Sequence, residues 1–391
     1  MPKVLFVHNG PLYRGPDGQM YGTHFTEAVK ERYLLLGEHV TFLMREARIE
    51  GSTDGFSALS PRKFDFVAVA DLMSPVKRIL NHRRAMRTIE AAVRQADVVV
   101  ARIPSLTSRL AVHWARKLGK PYMIECVACN WDALWNYNWK GKLSAPCYFL
   151  MQKRVVRDSP YVVYVTEQFL QRRYPTLGES VAISNVELPR AEAGVLEQRL
   201  ERIEARAVEP RPLLLATVGN VAVRYKAQGD GIRAVAGLRK SGVEVVYHLV
   251  GEGNPSRLRR LALRLGVESQ VVIHGAMPPS RVFELLNTMD LYLQPSRSEG
   301  FPRALIEAMS RGLPALGSRA GGIPELLPQA RTFRAGDIRD IARLIAQLRS
   351  PELQREDARR NFQRAQDFDW RLLDQKRRAF FDALLAAEGF A

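Results

Sequence analysis

The chain has 391 residues, of which 46% are hydrophobic and 25% charged, a composition typical of a globular protein with about two domains. No apolar run approaches the roughly 18–20 residues of a membrane-spanning helix, and the amino terminus lacks a secretory signal pattern, so we expect a cytoplasmic protein. The net charge of +17 and the pI near 10.1 indicate an anionic partner, which charge alone leaves open among nucleic acid, an acidic membrane face and a phosphorylated substrate.

Three cysteines occur, Cys126, Cys129 and Cys147. This small odd number fits a reducing compartment and argues against a disulfide framework. Cys126 and Cys129 form a C-x-x-C pair, but the chain has no second such pair and no histidine cluster beside it. We therefore predict a packing role rather than a zinc or redox site.

In the first half, short runs rich in β-branched residues alternate with helix-like stretches. The predicted strands are "KVLFVH", "HVTFLM", "DFVAVA", "DVVVARI", "PYMIEC" and "YVVYVT". Strands that alternate with helices indicate a parallel sheet built from βαβ units. After the first strand, "NGPLYRGPDGQMYG" carries four glycines before a helix predicted to begin near Met20. This segment is either a mobile turn or a loop whose backbone approaches a ligand.

Two basic segments of the first half, "PVKRILNHRRAMRTIEAAVR" and "APCYFLMQKRVVRD", carry apolar residues at roughly helical spacing. Such a face lies either on an anionic lipid surface, where each Lys or Arg contributes on the order of 1 kcal/mol, or in solvent over a core. The pattern is compatible with both interpretations.

The second half repeats the alternation with the predicted strands "PLLLATVGN", "VEVVYHLVGEG", "QVVIHG", "DLYLQP" and "LPALGS". Between the halves, "RAEAGVLEQRLERIEARAVEPRP" is charged and helix-prone. We predict an α/β fold with two doubly wound domains, residues 1–190 and 210–370, joined by a linker over residues 191–209. A C-terminal helix, residues 371–391, caps the second domain or crosses back to the first. Such sheets bind ligands beyond the carboxyl ends of their strands, here in the cleft between the domains.

The segment "SEGFPRALIEAMSRG" sets Glu299 and Glu307 eight positions apart. The same spacing of two glutamates recurs elsewhere in the chain, so the spacing alone does not indicate a site. The residues around this pair have to indicate its role. Gly300 lets the backbone turn after "DLYLQP", and Pro302 suits the first position of a helix. We expect Glu299 over the cleft and Glu307 about two turns along the helix. Free N–H groups at Gly300 and Phe301 would seat a phosphate.

The segment "GNVAVRYKAQGD" follows another predicted strand and contains Arg224 and Lys226. In an extended loop both side chains would point to one side, so they either serve a phosphate or are solvated surface charges. "VGEGNPS" lacks the third glycine of a dinucleotide fingerprint, and the P-loop, serine-elbow and H-E-x-x-H patterns are absent. We expect no cofactor and no metal site, and hence a metal-independent mechanism.

Together these residues resemble glycosyltransferase family 4, retaining sugar transferases of the GT-B fold, in which two Rossmann-like domains face a central cleft. The resemblance rests on "EGFPRALIEAMSRGLPALGSRAGGIPEL", "YKAQGD", "LVGEG" and "VIHGAM", and it covers the second half of the chain. The first half matches only in outline. The resemblance implies a hexosyltransferase whose substrate is a UDP- or GDP-linked sugar.

The resemblance also implies roles for the matching residues. Lys226 and Arg224 would bind the donor diphosphate, Glu299 would lie beside the donor sugar, and Glu307 would accept hydrogen bonds from the ribose. The usual arginine six positions before the lysine falls on Asn220, so Arg224 is expected to replace it, and Asn220 stays a donor-side candidate. The further donor contacts implied are the N–H groups of Gly300 and Phe301, a loop of Gly275, Ala276 and Met277 along the base, and Gly18 with Gln19 closing on the phosphates.

On the acceptor side, family members commonly carry a histidine where this chain has "IECVACNWDALW", so Glu125, Asn130 and Asp132 are the candidates there. With the basic segments, this predicts a peripheral enzyme at the inner face of the cytoplasmic membrane that extends a lipid-linked glycan of a bacterial envelope or capsule. A soluble small-molecule acceptor and sugar-nucleotide epimerisation on the same fold are the alternatives. Nucleic-acid binding is not expected, because no recognition motif is present and the positive charge is spread over both halves.

Overall fold

Two sheets organise the structure, a computed structural model that describes residues 2–23, 25–53, 55–189, 192–209 and 211–390. A hydrophobic cluster lies on either face of each sheet, so both sheets are buried on both sides. This is the α/β architecture that the alternating pattern predicts.

The strands of the described residues are, in chain order, β1 (Lys3–Arg14), β2 (Met20–Gly22), β3 (His39–Arg48), β4 (Ser57–Leu59), β5 (Phe64–Ala68), β6 (Val98–Ile103), β7 (Tyr122–Cys126), β8 (Tyr161–Tyr164), β9 (Glu179–Ala182), β10 (Leu213–Val218), β11 (Val245–Val250), β12 (Val271–Gly275), β13 (Leu291–Gln294), β14 (Ala315–Ser318) and β15 (Thr332–Phe333). The helices are α1 (Glu27–Tyr33), α2 (Pro75–Gln95), α3 (Leu106–Lys117), α4 (Asn130–Trp135), α5 (Trp139–Arg157), α6 (Phe169–Arg173), α7 (Val195–Val208), α8 (Gln228–Lys240), α9 (Ser256–Arg264), α10 (Pro279–Thr288), α11 (Arg303–Ser310), α12 (Ile323–Leu326), α13 (Ile338–Gln347), α14 (Pro351–Ala365) and α15 (Trp370–Ala387).

The first sheet has a parallel core in the order β5-β3-β1-β6-β7-β8-β9, with β2 and β4 added antiparallel at its side. The second sheet is parallel throughout, in the order β12-β11-β10-β13-β14-β15. Because parallel strands end on the same side, the loops that follow β10 to β14 line one edge of the second sheet. All the donor-side candidates of the second half lie on this edge.

The first strand is longer than the sequence indicates. β1 continues to Arg14 and turns through Gly15–Gln19 into β2, so the glycine-rich segment is largely a hairpin. The helix expected near Met20 begins at Glu27 instead. The reason is that β3 pairs with the second half of β1 as well as the first, which holds "GPLYR" in extended backbone despite its glycine and proline.

The expected linker is largely a helix, α7, that packs against α14. Its buried Arg199 donates to the backbone carbonyl oxygens of Leu286, Met289 and Arg311. Burial, reinforced by neighbouring arginines, lowers the pKa of Arg199 to about 9. Residues 190, 191 and 210, at the ends of the predicted linker, lie outside the described residues.

The last helix, α15, packs against the first sheet. Its Leu373, Phe381 and Leu384 are buried in the same cluster as Val4 and Phe6 of β1. The chain therefore runs from the second sheet back to the first. No helix within the described part of the chain combines the length and the apolar character needed to cross a bilayer.

Candidate active site

The carboxyl edges of the two sheets meet at the loop between β13 and α11. A Cβ placed on Gly300 would stand 2.1 Å from the carbonyl oxygen of Val127, which follows β7 of the first sheet. Phe301 packs against hydrophobic clusters of both sheets. The segment with the two glutamates thus lies at the boundary between the two halves.

Glu299 and Lys226 form an ion pair at this edge. The ammonium of Lys226 lies 2.8 Å from Oε1 of Glu299, and the two side chains are 21% and 9% exposed. The stem of Lys226 passes over Gly219, where a Cβ would stand 3.5 Å from Cδ of Lys226. The loops after β10 and β13 therefore bring together a cation and a carboxylate that are 73 residues apart in the chain.

A chain of buried hydrogen bonds fixes the Glu299 carboxylate. Gln294, the last residue of β13, donates its amide to Oε1 of Glu299 at 2.9 Å and accepts the hydroxyl of Tyr292 at 2.8 Å. The same amide also donates to Ser296. Tyr292, Gln294 and Ser296 are all almost fully buried, and burial raises the pKa of Tyr292 well above its usual value. The position of Glu299 is therefore set from inside the domain, which preorganises it.

The basic loop differs from the expectation of an extended chain. Arg224 to Lys226 form a turn of 3₁₀-helix, in which residues two apart do not point to one side, so the two side chains diverge. Arg224 is exposed, and its side chain makes no hydrogen bond or ion pair with the described residues. Asn220 uses its amide locally, accepting from the N–H of Ala222 and donating to Glu252. Of the three, the structure brings only Lys226 onto Glu299.

Helix α11 begins one residue later than predicted, with Pro302 as its N-cap, and no side chain caps it. Its first N–H groups, those of Arg303 and Ala304, are open at the same edge. Glu307 lies about one turn, rather than two, into this helix. Burial raises the pKa of Glu307, an effect that Arg303 partly opposes. The carboxylate of Glu307 has no hydrogen-bond partner among the residues that the structure describes, so it remains available to a ligand.

The remaining donor-side candidates lie apart from this centre. Gly275 is the last residue of β12 with a φ of +79°, Ala276 is exposed, and Met277 packs on the second sheet, two strands from β10. Gly18 and Gln19 lie at the tip of the β1–β2 hairpin, and their hydrogen bonds stay within it. The structure does not bring these two residues against Glu299 or Lys226.

The expectation that Glu125 faces an acceptor is wrong. Glu125 is 4% exposed inside the first half, where it accepts hydrogen bonds from Arg102 at 2.7 Å and from the hydroxyl of Tyr33 at 2.9 Å. Burial would raise its pKa, but Arg102 and Arg32 outweigh burial and hold that pKa below its usual value. Its carboxylate is therefore a structural partner of a buried arginine.

Asn130 and Asp132 lie at the start of α4, directly after β7, and remain acceptor-side predictions. Asp132 pairs with Arg173 at 3.0 Å. Burial raises the pKa of Asp132, although Arg173 opposes the rise. Asn130 is half-buried, and its backbone N–H donates to Gln152.

The prediction of a metal-independent reaction overlooked one D-x-D triplet, Asp367 to Asp369. Both carboxylates have structural partners, because Asp367 pairs with Arg364 and Asp369 accepts the N–H of Arg371 at the start of α15. Across the described residues, no group of three or more His, Cys, Asp or Glu side chains is arranged to hold a metal ion.

The cysteines are all free thiols. Cys126 and Cys129 are buried and Cys147 is exposed. Burial raises the pKa of Cys126 to about 12, which makes its thiolate rare at neutral pH.

Sequence reasoning missed two residues that shape the site. Gln294 was counted only as the end of a strand, and Glu325 was not singled out. Glu325 follows the glycine pair after β14 and accepts the backbone N–H groups of Glu167, Gln168 and Phe169 at the start of α6. A hydrophilic residue ending an apolar strand, as Gln294 does, was the available signal for the first. No local signal marks the second, because its partners lie 156 residues or more away.

Comparisons with known proteins identify this architecture. Residues 200–365 match the family described as Glycosyl transferases group 1. Protein CapJ of Staphylococcus aureus is 27% identical over 347 residues, which cover 88% of this chain and 85% of CapJ. The putative colanic acid biosynthesis glycosyltransferase WcaL of Escherichia coli is 29% identical over 186 residues, 44% of this chain and 46% of WcaL. The solved structure of Anabaena HepE in complex with UDP-glucose superposes with a TM-score of 0.66 at 14% identity, over 99% of this chain and 100% of HepE.

Two such sheets, with their carboxyl edges facing each other, form the GT-B fold. More specifically, the chain carries a Glycosyl transferases group 1 domain over residues 200–365, which confirms that the second half resembles sugar transferases. The domain contains Lys226, Glu299 and Glu307.

Proposed function

We propose that the protein transfers a sugar, with retention of configuration and without a metal ion, from a UDP- or GDP-linked donor to a hydroxyl of a lipid-linked glycan. The observation that carries this proposal is the Lys226–Glu299 pair at the meeting edge of the two sheets. The name of WcaL, a colanic acid biosynthesis glycosyltransferase, supports polysaccharide as the acceptor class. The UDP-glucose bound to HepE supports a nucleotide-sugar donor.

The chemistry requires stabilisation of the negative charge that grows on the leaving nucleoside diphosphate. Lys226 supplies a cation and the uncapped start of α11 supplies N–H groups, and fixed charges of this kind act most strongly where charge develops. Arg224, exposed on the same loop, is close enough in the chain to join them on closure. None of these groups has to move far as the negative charge develops, and this preorganisation is the source of their stabilising effect.

In the ligand-free arrangement Lys226 is bound by Glu299. A donor diphosphate competes for the Lys226 ammonium, and its arrival leaves Oε1 of Glu299 bound by Gln294 alone, so that the carboxylate can accept from the hydroxyls of the donor sugar. Gln294 keeps the carboxylate in place during this exchange. Glu307, with its unpartnered carboxylate, receives the ribose hydroxyls. In this mechanism Glu299 positions the sugar, and it does not act with Glu307 as an acid/base couple, since retention here needs no flanking pair.

The lipid-linked acceptor is supported by an exposed apolar surface on the first half, which we call the α2–α5 face. Val76, Ile79 and Leu80 of α2 are each at least 66% exposed, and Trp139, Leu143 and Leu150 of α5 are each at least 63% exposed. Arg78 of α2 donates to the hydroxyl of Tyr148 of α5, which joins the two helices. Exposed lysines and arginines flank both helices, as a surface for anionic lipid requires.

Incubation with a panel of UDP- and GDP-sugars, in the presence of a chelator, tests the proposal. Slow release of nucleoside diphosphate from one donor is expected, and it should fall in Glu299→Gln and stay unchanged in the control Glu284→Gln, an exposed carboxylate paired with Arg281. A new sugar nucleotide would instead indicate an epimerase. Loss of activity with chelator would overturn the metal-independent step, and failure to bind any nucleotide sugar would overturn the donor class. Once an acceptor is found, the anomeric configuration of the product tests retention.

A further inference from the structure

A cluster of four arginines lies beside the candidate active site, and the proposed reaction gives a role to only one of them, Arg224. The arginine cluster consists of Arg224, Arg233, Arg257 and Arg297. Arg233 and Arg297 pair with Asp230, and Arg257 lies within electrostatic reach of Asp230 and of the other three arginines. Its members come from the loop after β10, the first turns of α8 and α9, and the loop after β13. All of these begin at the carboxyl edge of the second sheet.

The cluster carries more positive charge than its surroundings neutralise. Asp230 accepts from Arg297 at 2.8 Å and from Arg233 at 3.2 Å, so one carboxylate serves two guanidiniums. Burial and then the neighbouring Arg224 and Arg233 lower the pKa of Arg257, and within the described residues only Asp230 opposes them. Like charges held this close favour an anion between them.

Arg257 has hydrogen-bonding capacity that the protein leaves unused. Its Nη2 atom is buried and has no partner within the described residues. Buried nitrogen atoms without a partner are costly, so their presence points to a ligand or ordered solvent. The guanidiniums of Arg233 and Arg257 converge beside Gly229, since a Cβ on Gly229 would stand 3.4 Å from Nη1 of Arg233 and 3.6 Å from Nη1 of Arg257.

Arg233 and Arg257 lie apart from the seat of the donor diphosphate. The contacts of Glu299 are with Lys226 and Gln294, and neither Arg233 nor Arg257 shares them. The cluster instead adjoins the first half, because Asn136 donates to the carbonyl oxygen of Arg297 at 3.1 Å. Asn136 follows α4, between the exposed Trp135 and Tyr137, close in the chain to the start of the α2–α5 face at Trp139.

We propose that the arginine cluster binds a phosphate group carried by the acceptor. Phosphate suits the site because its several oxygens and roughly two negative charges match converging guanidinium forks. A phosphate that joins a glycan to a lipid and the phosphate of a free sugar phosphate share this chemistry. The inference rests on the proposed function, because only a transferase has an acceptor. Binding of the phosphate itself is measured without any transfer reaction.

The experiment is calorimetric titration of inorganic pyrophosphate into the protein saturated with UDP or GDP, whichever binds. Wild type is expected to bind pyrophosphate with the nucleotide in place. Arg257→Gln and Arg233→Gln should each weaken pyrophosphate binding about tenfold while nucleotide affinity stays within about twofold. Arg259→Gln is the matched control, an exposed arginine of the same helix that lies outside the cluster, and it should behave as wild type. The unfolding temperature of each variant confirms that it is folded.

Three outcomes would overturn the inference. Pyrophosphate that cannot bind once nucleotide is present, or a loss of nucleotide affinity in Arg257→Gln, would assign the cluster to the donor. Pyrophosphate binding that neither variant weakens would assign it to solvent. None of these results contradicts the transferase proposal. Wild type that binds no nucleotide would contradict the transferase proposal, and pyrophosphate binding could still be measured in that case. Displacement of pyrophosphate by a short-chain alkyl phosphate or by a hexose phosphate then identifies which source of phosphate the cluster prefers.

Discussion

The carboxylate of Glu325 accepts the backbone N–H of Phe169 at 2.6 Å, across the boundary between the two sheets. The N–H of Glu167 donates to the other oxygen of the same carboxylate at 2.6 Å. Glu325 thus caps α6 of the first half from α12 of the second, and Arg364 strengthens the contact through its ion pair with Glu167 at 3.0 Å. Hydrogen bonds to a charged acceptor are among the stronger polar contacts in proteins.

We expect Glu325→Gln to favour separation of the two halves, because the amide presents a single acceptor oxygen and no charge to α6. The ratio kcat/KM for the donor should fall about tenfold, and small-angle scattering should show a larger radius of gyration. Glu356→Gln is the control, because Glu356 is an exposed residue of α14 whose carboxylate makes no hydrogen bond or ion pair within the described part of the chain. Unchanged scattering and kinetics in Glu325→Gln would show that closure does not depend on this contact.

Glu299→Ala should chiefly lower turnover, since the carboxylate positions the donor sugar and the diphosphate is held by other groups. A fall in kcat of about a hundredfold with a small change in donor KM is expected. Lys226→Ala should lower kcat and also raise the donor KM, because it removes a cation that binds the diphosphate. The double variant should lose less than the sum of the two single losses in transition-state free energy, because the residues act as a pair. Fully additive losses would separate their roles.

Glu307→Gln should weaken donor binding while leaving the fold at least as stable. The usual pKa of this carboxyl is near 4.5 and burial raises it in the folded protein, so folding stability falls as the pH rises from that value through the raised pKa. The amide removes this cost at neutral pH. We expect a donor KM about tenfold higher and an unfolding temperature equal to or above that of wild type at pH 8. A destabilised variant with unchanged KM would assign Glu307 to structure.

Glu125→Gln should destabilise the first half without a specific effect on the acceptor. It leaves Arg102 buried beside Tyr33 without a counter-ion, a change that costs roughly 3–5 kcal/mol when a buried pair is broken. Because the pKa of Glu125 is lowered in the folded state, its contribution is present at neutral pH and is lost as the pH falls through that lowered pKa. Urea unfolding at neutral and acidic pH measures the difference. A stable variant with a raised acceptor KM would restore Glu125 to the acceptor side.

The α2–α5 face should bind anionic vesicles in a salt-sensitive way. Flotation with phosphatidylglycerol vesicles should recover the protein at about 0.1 M salt and release much of it at about 1 M, where the Debye length falls from about 10 Å to about 3 Å. Leu80→Glu should reduce recovery. Leu263→Glu is the matched control, since Leu263 is 65% exposed and Leu80 is 76% exposed, but Leu263 belongs to α9 of the second half. No recovery of wild type at low salt would count against a membrane-bound acceptor.

The strands and the edge that holds the site could be predicted because parallel sheets leave a local signal, a short β-branched run followed by a polar turn. This signal predicts β10 to β14 and the position of Glu299 beyond β13. It does not predict which residues that are distant in the chain pair with each other. Glu125 looked like a free carboxylate after a strand because nothing in the sequence shows that β6 and β7 align Arg102 directly beside it. The 3₁₀ turn at Arg224 and the hairpin at Gly18 depend likewise on neighbours far along the chain.

At Gly300, the absence of a side chain sets how near the two halves of the enzyme come to each other. Because a methyl group there would overlap the carbonyl oxygen of Val127, any other residue would act as a spacer that props the cleft open. Gly300, between Glu299 and Glu307, thus sets the width of the closed cleft and also allows the backbone to turn. Graded enlargement of this one side chain gives a way to hold the enzyme at successive widths and to ask at which width transfer stops.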